Sequence, residues 1–246
     1  PDPRFRHPRL RRTSPVTKFA VHAALDALGE ERFELAKAGE HRVGVIFSLM
    51  NGCVNFTNRF FGEVLDDPST ASPILFPETV FNAPASHLSS LLGSKAINYT
   101  LMGDTAQFLA AFDVASLWLD ADQADSVVIV GAEEIDWLTA GAFQLYHSGL
   151  PSSEGAGAVC LGKGTEKAIG KVKALASPQA IFDWKDREVL SANAANALRP
   201  HLAKSDSTVI VDGRFGDPRH DRAETLAWQA ERDQGSRSIS PLQTIG

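Results

Sequence analysis

Ser126-Val127-Val128-Ile129-Val130-Gly131 decides the fold class. Four β-branched residues in a row, with no polar side chain alternating between them, describe a strand covered on both faces, since a half-solvated strand would alternate. A sheet buried on both sides needs helices on each side. The surrounding chain supplies them. Upstream, Gly103-Asp104 opens an alanine-rich helix running to about Leu119; downstream, Trp137 to Tyr146 reads as a helix and Gly155 to Leu161 as a strand.

Farther out the alternation continues. Val16, Phe19, Ala20, Ala23, Ala24, Ala27 and Leu28 recur at helical spacing within Pro15 to Leu28, and Gly29 ends that helix. A polar linker is expected up to Arg42, then a buried strand from Arg42 to Leu49, a turn at Met50-Asn51-Gly52, and a helix from Cys53 to Leu65 with Phe56, Phe60, Phe61, Val64 and Leu65 on its apolar side. Four prolines between Asp66 and Pro84 predict a long loop. Ala85 to Leu92, ended by Gly93, reads as a helix and Ala96 to Leu101 as a strand. After Gly164 the pattern predicts a strand at Lys171 to Ala176, a helix at Glu188 to Leu202, a strand at Thr208 to Val211, a helix at Ala223 to Glu231 and a short strand at Ser238 to Ser240. Strands alternating with helices indicate an α/β fold with largely parallel strands.

With 43% hydrophobic and 22% charged residues among 246, the chain falls in the range of soluble globular proteins. Its two cysteines, Cys53 and Cys160, form no zinc-ligand spacing, so a reduced, cytoplasmic protein is expected. No secretory signal is read, and no apolar run approaches the ~18 residues of a membrane span. A net charge of -6 argues against a general nucleic-acid binder. Arg4, Arg6, Arg9, Arg11, Arg12 and Lys18 nevertheless crowd the first twenty residues against Asp2 alone. The ordinary reading is a solvated arm, the sharper one a docking surface for an acidic partner.

Several features mimic sites. Cys53 on an apolar helix reads as a small buried hydrophobe, and Cys160 lies within a strand. Gly157 to Gly164 nearly spells a phosphate-binding loop, but Gly164 stands where Ser or Thr should hold magnesium, and its middle reads as strand. There is no Gly-x-Ser-x-Gly elbow. The seven histidines show no close pair at helical ligand spacing, so neither metal nor cofactor is expected, and His87 reads as a helix-surface or interface residue.

Four ordered segments are more specific: Phe76-Pro77-Glu78-Thr79-Val80-Phe81-Asn82-Ala83-Pro84-Ala85-Ser86 followed by Leu92-Gly93; Asn98-Tyr99-Thr100-Leu101 leading to Leu109-Ala110-Ala111; Ala124-Asp125-Ser126 through Gly131-Ala132-Glu133-Glu134; and Glu154-Gly155-Ala156-Gly157-Ala158-Val159. Together they resemble the β-ketoacyl synthase family, most of the match lying within Phe76 to Gly162. The resemblance implies a thiolase-like αβαβα layering of mixed, mostly parallel sheets. It places an N-terminal-half-like ketosynthase domain at residues 1–164 and part of the second half at 165–246, with the family's opening strand before Pro1 and the rest of its second half after Gly246.

The resemblance also sets a chemical test. Family condensing enzymes carry a cysteine at the mouth of the buried helix after the second segment, where the helix dipole favours a thiolate. Thr105 occupies that position, and its hydroxyl is a poor nucleophile without an adjacent base. A two-residue shift puts Gln107 there instead, as in chain-length-factor subunits. Asp104 reads as the helix cap, box-paired with Gln107. Where the family has a histidine that helps decarboxylate malonyl groups, this chain has Asp212, within Val211-Asp212-Gly213-Arg214 and followed by Asp221 and Glu224. A carboxylate there repels a malonyl carboxylate. Leu242 stands at a position that is usually lysine.

The resemblance therefore implies a non-condensing, chain-length-factor-like member of fatty acid or polyketide biosynthesis. Its expected partners are an acyl carrier protein and, through the strand Ala96 to Leu101, a second copy or an active ketosynthase. The alternative is an acyltransferase or malonyl decarboxylase using Thr105 assisted by Asp104 or Asp212.

Overall fold

The computed structural model describes residues 7–93, 95, 97–104, 106–146, 152–164, 168–202 and 208–245, in two compact units, Pro1–Glu166 and Lys167–Gly246. The first unit opens with α1 (Pro15–Leu28), with Pro15 in its first turn and Ser14 Oγ accepting from Thr17 N. Gly29 ends it at φ 78°. The expected linker is instead a second helix, α2 (Glu30–Ala38). Its acids sit at the positive end of the helix dipole, Phe33 and Ala36 one turn apart are buried, and Gly39 closes it in the left-handed conformation.

β1 (Val43–Leu49) is buried throughout and turns into α3 (Val54–Asp66). The proline-rich loop leads to α4 (Ala83–Leu92), then β2 (Asn98–Met102), α5 (Ala106–Asp120), β3 (Ser126–Glu133), α6 (Trp137–Tyr146) and β4 (Gly155–Gly162). The sheet runs β2-β1-β3-β4, with the first three strands parallel and β4 antiparallel to β3. Val45, Phe47, Val128 and Val130 enter a core with α1 and α4, whereas Ile46, Val127 and Ile129 pack with Ala111, Ala115 and Leu119 of α5. Both faces are therefore covered, as the run at 127–130 requires. The Phe108 ring of α5 lies so close over Gly131 that a Cβ there would sit 3.0 Å from it.

In the second unit the expected strand at Lys171 to Ala176 does not form. Among the described residues its alternating pattern pairs with no strand, and Val172 stays 48% exposed. α7 (Arg187–Leu198) stops before Pro200, which turns the remaining residues into a short 3-10 segment. β5 (Val209–Val211) is followed by α8 (Pro218–Ala227), which begins five residues before the expected start at Ala223 because Asp217 caps it and Pro218 takes its first position. α9 (Gln229–Asp233), β6 (Arg237–Ile239) and α10 (Leu242–Ile245) complete it. β5 and β6 pair in parallel, extended by Asp212 N donating to Ile239 O at 2.9 Å.

Candidate functional site

In open parallel sheets, sites form beyond the C-terminal ends of the strands. Here β1, β2 and β3 end at Leu49, Met102 and Glu133, and Gly103 N donates to Leu49 O at 3.1 Å, holding the α5 mouth beside β1. The Glu133 carboxylate accepts from Met50 N and, at 3.4 Å, from Asn51 N. Asn51 Nδ2 donates to Thr139 Oγ1 at 2.6 Å, and Thr139 donates in turn to Asp136 Oδ2 at 2.7 Å. Glu134, 3% exposed, accepts from Val16 N at 3.0 Å and Asn55 Nδ2 at 3.1 Å. Burial raises both glutamates above the ordinary range, opposed by these N–H donors. They brace chain segments.

This scaffold supports an open cleft of about 290 Å³ lined by Asn51, Val54, Thr57, Asn58, Phe61, Phe81 and Trp137. The apolar side of α3 is left largely uncovered: Phe61 is 58% and Leu65 69% exposed, while the Phe60 ring packs at a tilt against Phe76, centroids 5.6 Å apart. Gly52, at φ 71°, lets the Phe81 ring close over the turn into α3.

At the α5 mouth, Asp104 Oδ1 accepts from Ala106 N at 2.9 Å, the capping role expected of it, and Gln107 lays its side chain over Gly103. Thr105 lies outside the described residues. Cys53 is buried, its thiol pushed up to about 11 by burial, and Cys160 is raised for the same reason, so both are poor nucleophiles. Of the two readings of His87 the interface one fits, its side chain being 18% exposed. Its Nε2 lies 2.6 Å from Oε1 of the buried Glu78, whose other oxygen accepts from Ser14 N, so it ties α4 to the start of α1. Asp125, from the third motif, is clamped by Arg42 at 2.7 Å and held down to about 2.

Asp212 has a fully buried side chain (0% exposed). Its Oδ2 accepts from Arg214 Nη2 at 2.9 Å and Arg232 Nη2 at 3.1 Å, and its Oδ1 from Arg214 N at 3.3 Å. Burial alone would raise this carboxyl, but hydrogen bonds from Arg214 and Ser240 and the Arg214 charge hold it below the ordinary value. The adjoining turn is equally braced: Gly213 N donates to Glu224, and Phe215 N and Gly216 N to Asp221. Leu242 opens α10. Arg214 follows Asp212 by two residues, whereas Arg232, twenty residues away, carries no local signal of the pairing. Thr105 falls in the first unit and Asp212 in the second. Among the described residues no three His, Cys, Asp or Glu side chains converge to hold a metal, and no helix is long and apolar enough to cross a membrane.

The family described as "Beta-ketoacyl synthase, N-terminal domain" matches residues 1–167. No curated protein sequence matches significantly. Among solved structures, the fold is similar to the ishigamide ketosynthase/chain length factor (TM-score 0.67, 19% identity, 91% of this chain and 65% of that one). It is also similar to a type II polyketide synthase acyl-carrier protein in complex with its ketosynthase bound to the hexaketide (0.70, 15%, 97% and 73%). A β-ketoacyl synthase from Burkholderia phymatum is comparable (0.66, 18%, 95% and 65%). The chain thus spans about two thirds of the length of these neighbours, and the likeness carries the layered α/β ketosynthase fold. With its N-terminal domain matched over 167 of 246 residues, the chain belongs to the β-ketoacyl synthase family.

Proposed function

We propose that the chain is a non-condensing, chain-length-factor-like partner of an active ketosynthase, contributing its apolar cleft to the space in which an acyl chain is built. The observation that carries this reading is the state of Asp212. At the position matched to the family histidine stands a carboxylate whose oxygens are taken up by Arg214 and Arg232, leaving no free base and no group that welcomes a malonyl carboxylate. Thr105 at the nucleophile position, or Gln107 in the shifted register, adds that no cysteine is available there. The same occupancy disfavours the alternative in which Asp212 activates Thr105. The ketosynthase/chain length factor and carrier-protein complexes among the structural neighbours support such partners. The division at residues 1–164 and 165–246 is retained as part of this proposal.

Association is expected through β2, an edge strand whose backbone groups are open to pairing and whose Tyr99 is 54% exposed. Co-expression with a cysteine-bearing ketosynthase should yield a complex by light scattering, and Tyr99→Asp or Thr100→Asp should dissociate it. A variant that stays fully paired counts against this interface; absence of any complex with the wild-type chain counts against the reading itself.

A further inference from the structure

We infer that Arg187 and Arg219, stacked on Trp184 in the second unit, form a receptor for a small ligand carrying two linked phosphoryl groups. Asp183 starts the 3-10 turn before α7 by accepting from Lys185 N at 3.0 Å, which places Trp184 in that turn and Arg187 directly after it. Asp217 starts α8 in the same way, accepting from Arg219 N at 2.9 Å. α7 and α8 pack together, and their first turns meet at the indole. The Arg187 and Arg219 Cζ atoms lie 4.9 and 5.1 Å from the Trp184 ring centroid, and the His220 ring meets it edge-on at 4.8 Å. The tryptophan is still 41% exposed.

Stacking engages the flat face of a guanidinium and leaves the N–H donors in its plane for another partner. Among the described residues, neither Arg187 nor Arg219 gives its side-chain donors to an acceptor. Arginines that act as struts in the same unit are spent differently. Arg199 also lies over a tryptophan, Trp228, yet it donates to Glu231, Asn196 and Ala227 O. Arg222, three residues beyond Arg219, is paired with Glu188 at 2.7 Å. The nearby carboxylates are committed as well: Asp183 and Asp217 hold the two helix starts, and Asp217 Oδ2 also lies 2.6 Å from His220 Nδ1. Asp186 is left to oppose Lys185, Arg187 and Arg219, so the patch is net positive on a chain of charge -6. Sharing one ring keeps the two Cζ atoms no more than about 10 Å apart. Each fork can hold one phosphoryl group bidentately, and two phosphoryl groups joined by a bridging oxygen span that separation. A nucleic-acid strand fits less well, because it requires a run of cations beyond these.

The test titrates the full chain with inorganic diphosphate, with ADP and with orthophosphate, read by calorimetry and, for the two inorganic ions, by tryptophan fluorescence. Diphosphate and ADP should bind with Kd below about 1 mM, and orthophosphate about tenfold more weakly, since it reaches one fork. Arg187→Gln and Arg219→Gln together should raise the diphosphate Kd by about tenfold or more. Arg219→Lys, which keeps the charge and loses the fork, should still weaken binding about threefold, and it carries the test if the double variant melts early. Arg222→Gln should leave Kd unchanged, because that guanidinium is already committed to Glu188. Trp184→Phe keeps a ring for stacking, so it should retain binding and lose the fluorescence change. Absence of diphosphate binding, an equal loss with Arg222→Gln, full affinity in the folded double variant, or orthophosphate or a single-stranded oligonucleotide binding as tightly as diphosphate would overturn the assignment.

Discussion

Asp212→Ala is expected to destabilise the second unit by about 3 kcal/mol at neutral pH, because it leaves the Arg214 and Arg232 guanidiniums, 22% and 16% exposed, without their shared counter-charge. The pH dependence follows from the direction of the carboxyl's shift. Its folded value lies below the ordinary 3.8, so its contribution is present above that value and is lost as pH falls through the lower folded one. Asp212→Asn, which keeps the shape and removes the charge, should therefore be less stable than wild type at neutral pH and converge with it in strong acid. Urea melts at several pH values would measure this. A gap that does not change with pH would mean the network is steric packing and not an ion pair.

Gly52→Val should be the most damaging single change near the cleft. The residue sits at φ 71°, where a β-branched side chain is strained, and even a Cβ would lie 2.5 Å from the Phe81 ring. Strain and displaced ring together cost about 3 kcal/mol. For a chain of this size that is a fall in Tm of about 10 °C, with Gly52→Ala showing roughly half. An unchanged Tm would mean that Phe81 does not cover the turn in solution. In the proposed pairing, displacement of Phe81 should also alter the length of the acyl products made by the complex.

The parts of the fold that could be read from sequence are those in which one local pattern dominates. Val127 to Val130 admits a single environment, and Pro15 to Leu28 has both its start and stop residues. α2 was hidden because Glu30, Glu31 and Arg32 read as linker, and only Phe33 and Ala36 betray a buried side. The stretch at Lys171 to Ala176 had the opposite fault: a strand pattern without a neighbouring strand, since pairing is supplied by the fold and not by the segment. At the candidate site, the Asp104 cap was legible from its spacing to α5. The cleft was not, because Phe61, Phe81 and Trp137 arrive from three separate segments. The same holds for Asp212: its identity was evident, but the second arginine that immobilises it enters only through tertiary packing.

The account is tested most directly by incubating the purified chain with acyl and malonyl carrier protein and examining both the polypeptide and the products by mass spectrometry. It predicts no acyl adduct on Thr105 and no 3-oxoacyl product from the chain alone, with product appearing once a cysteine-bearing ketosynthase is added. Carbon–carbon bond formation by the chain alone would contradict it.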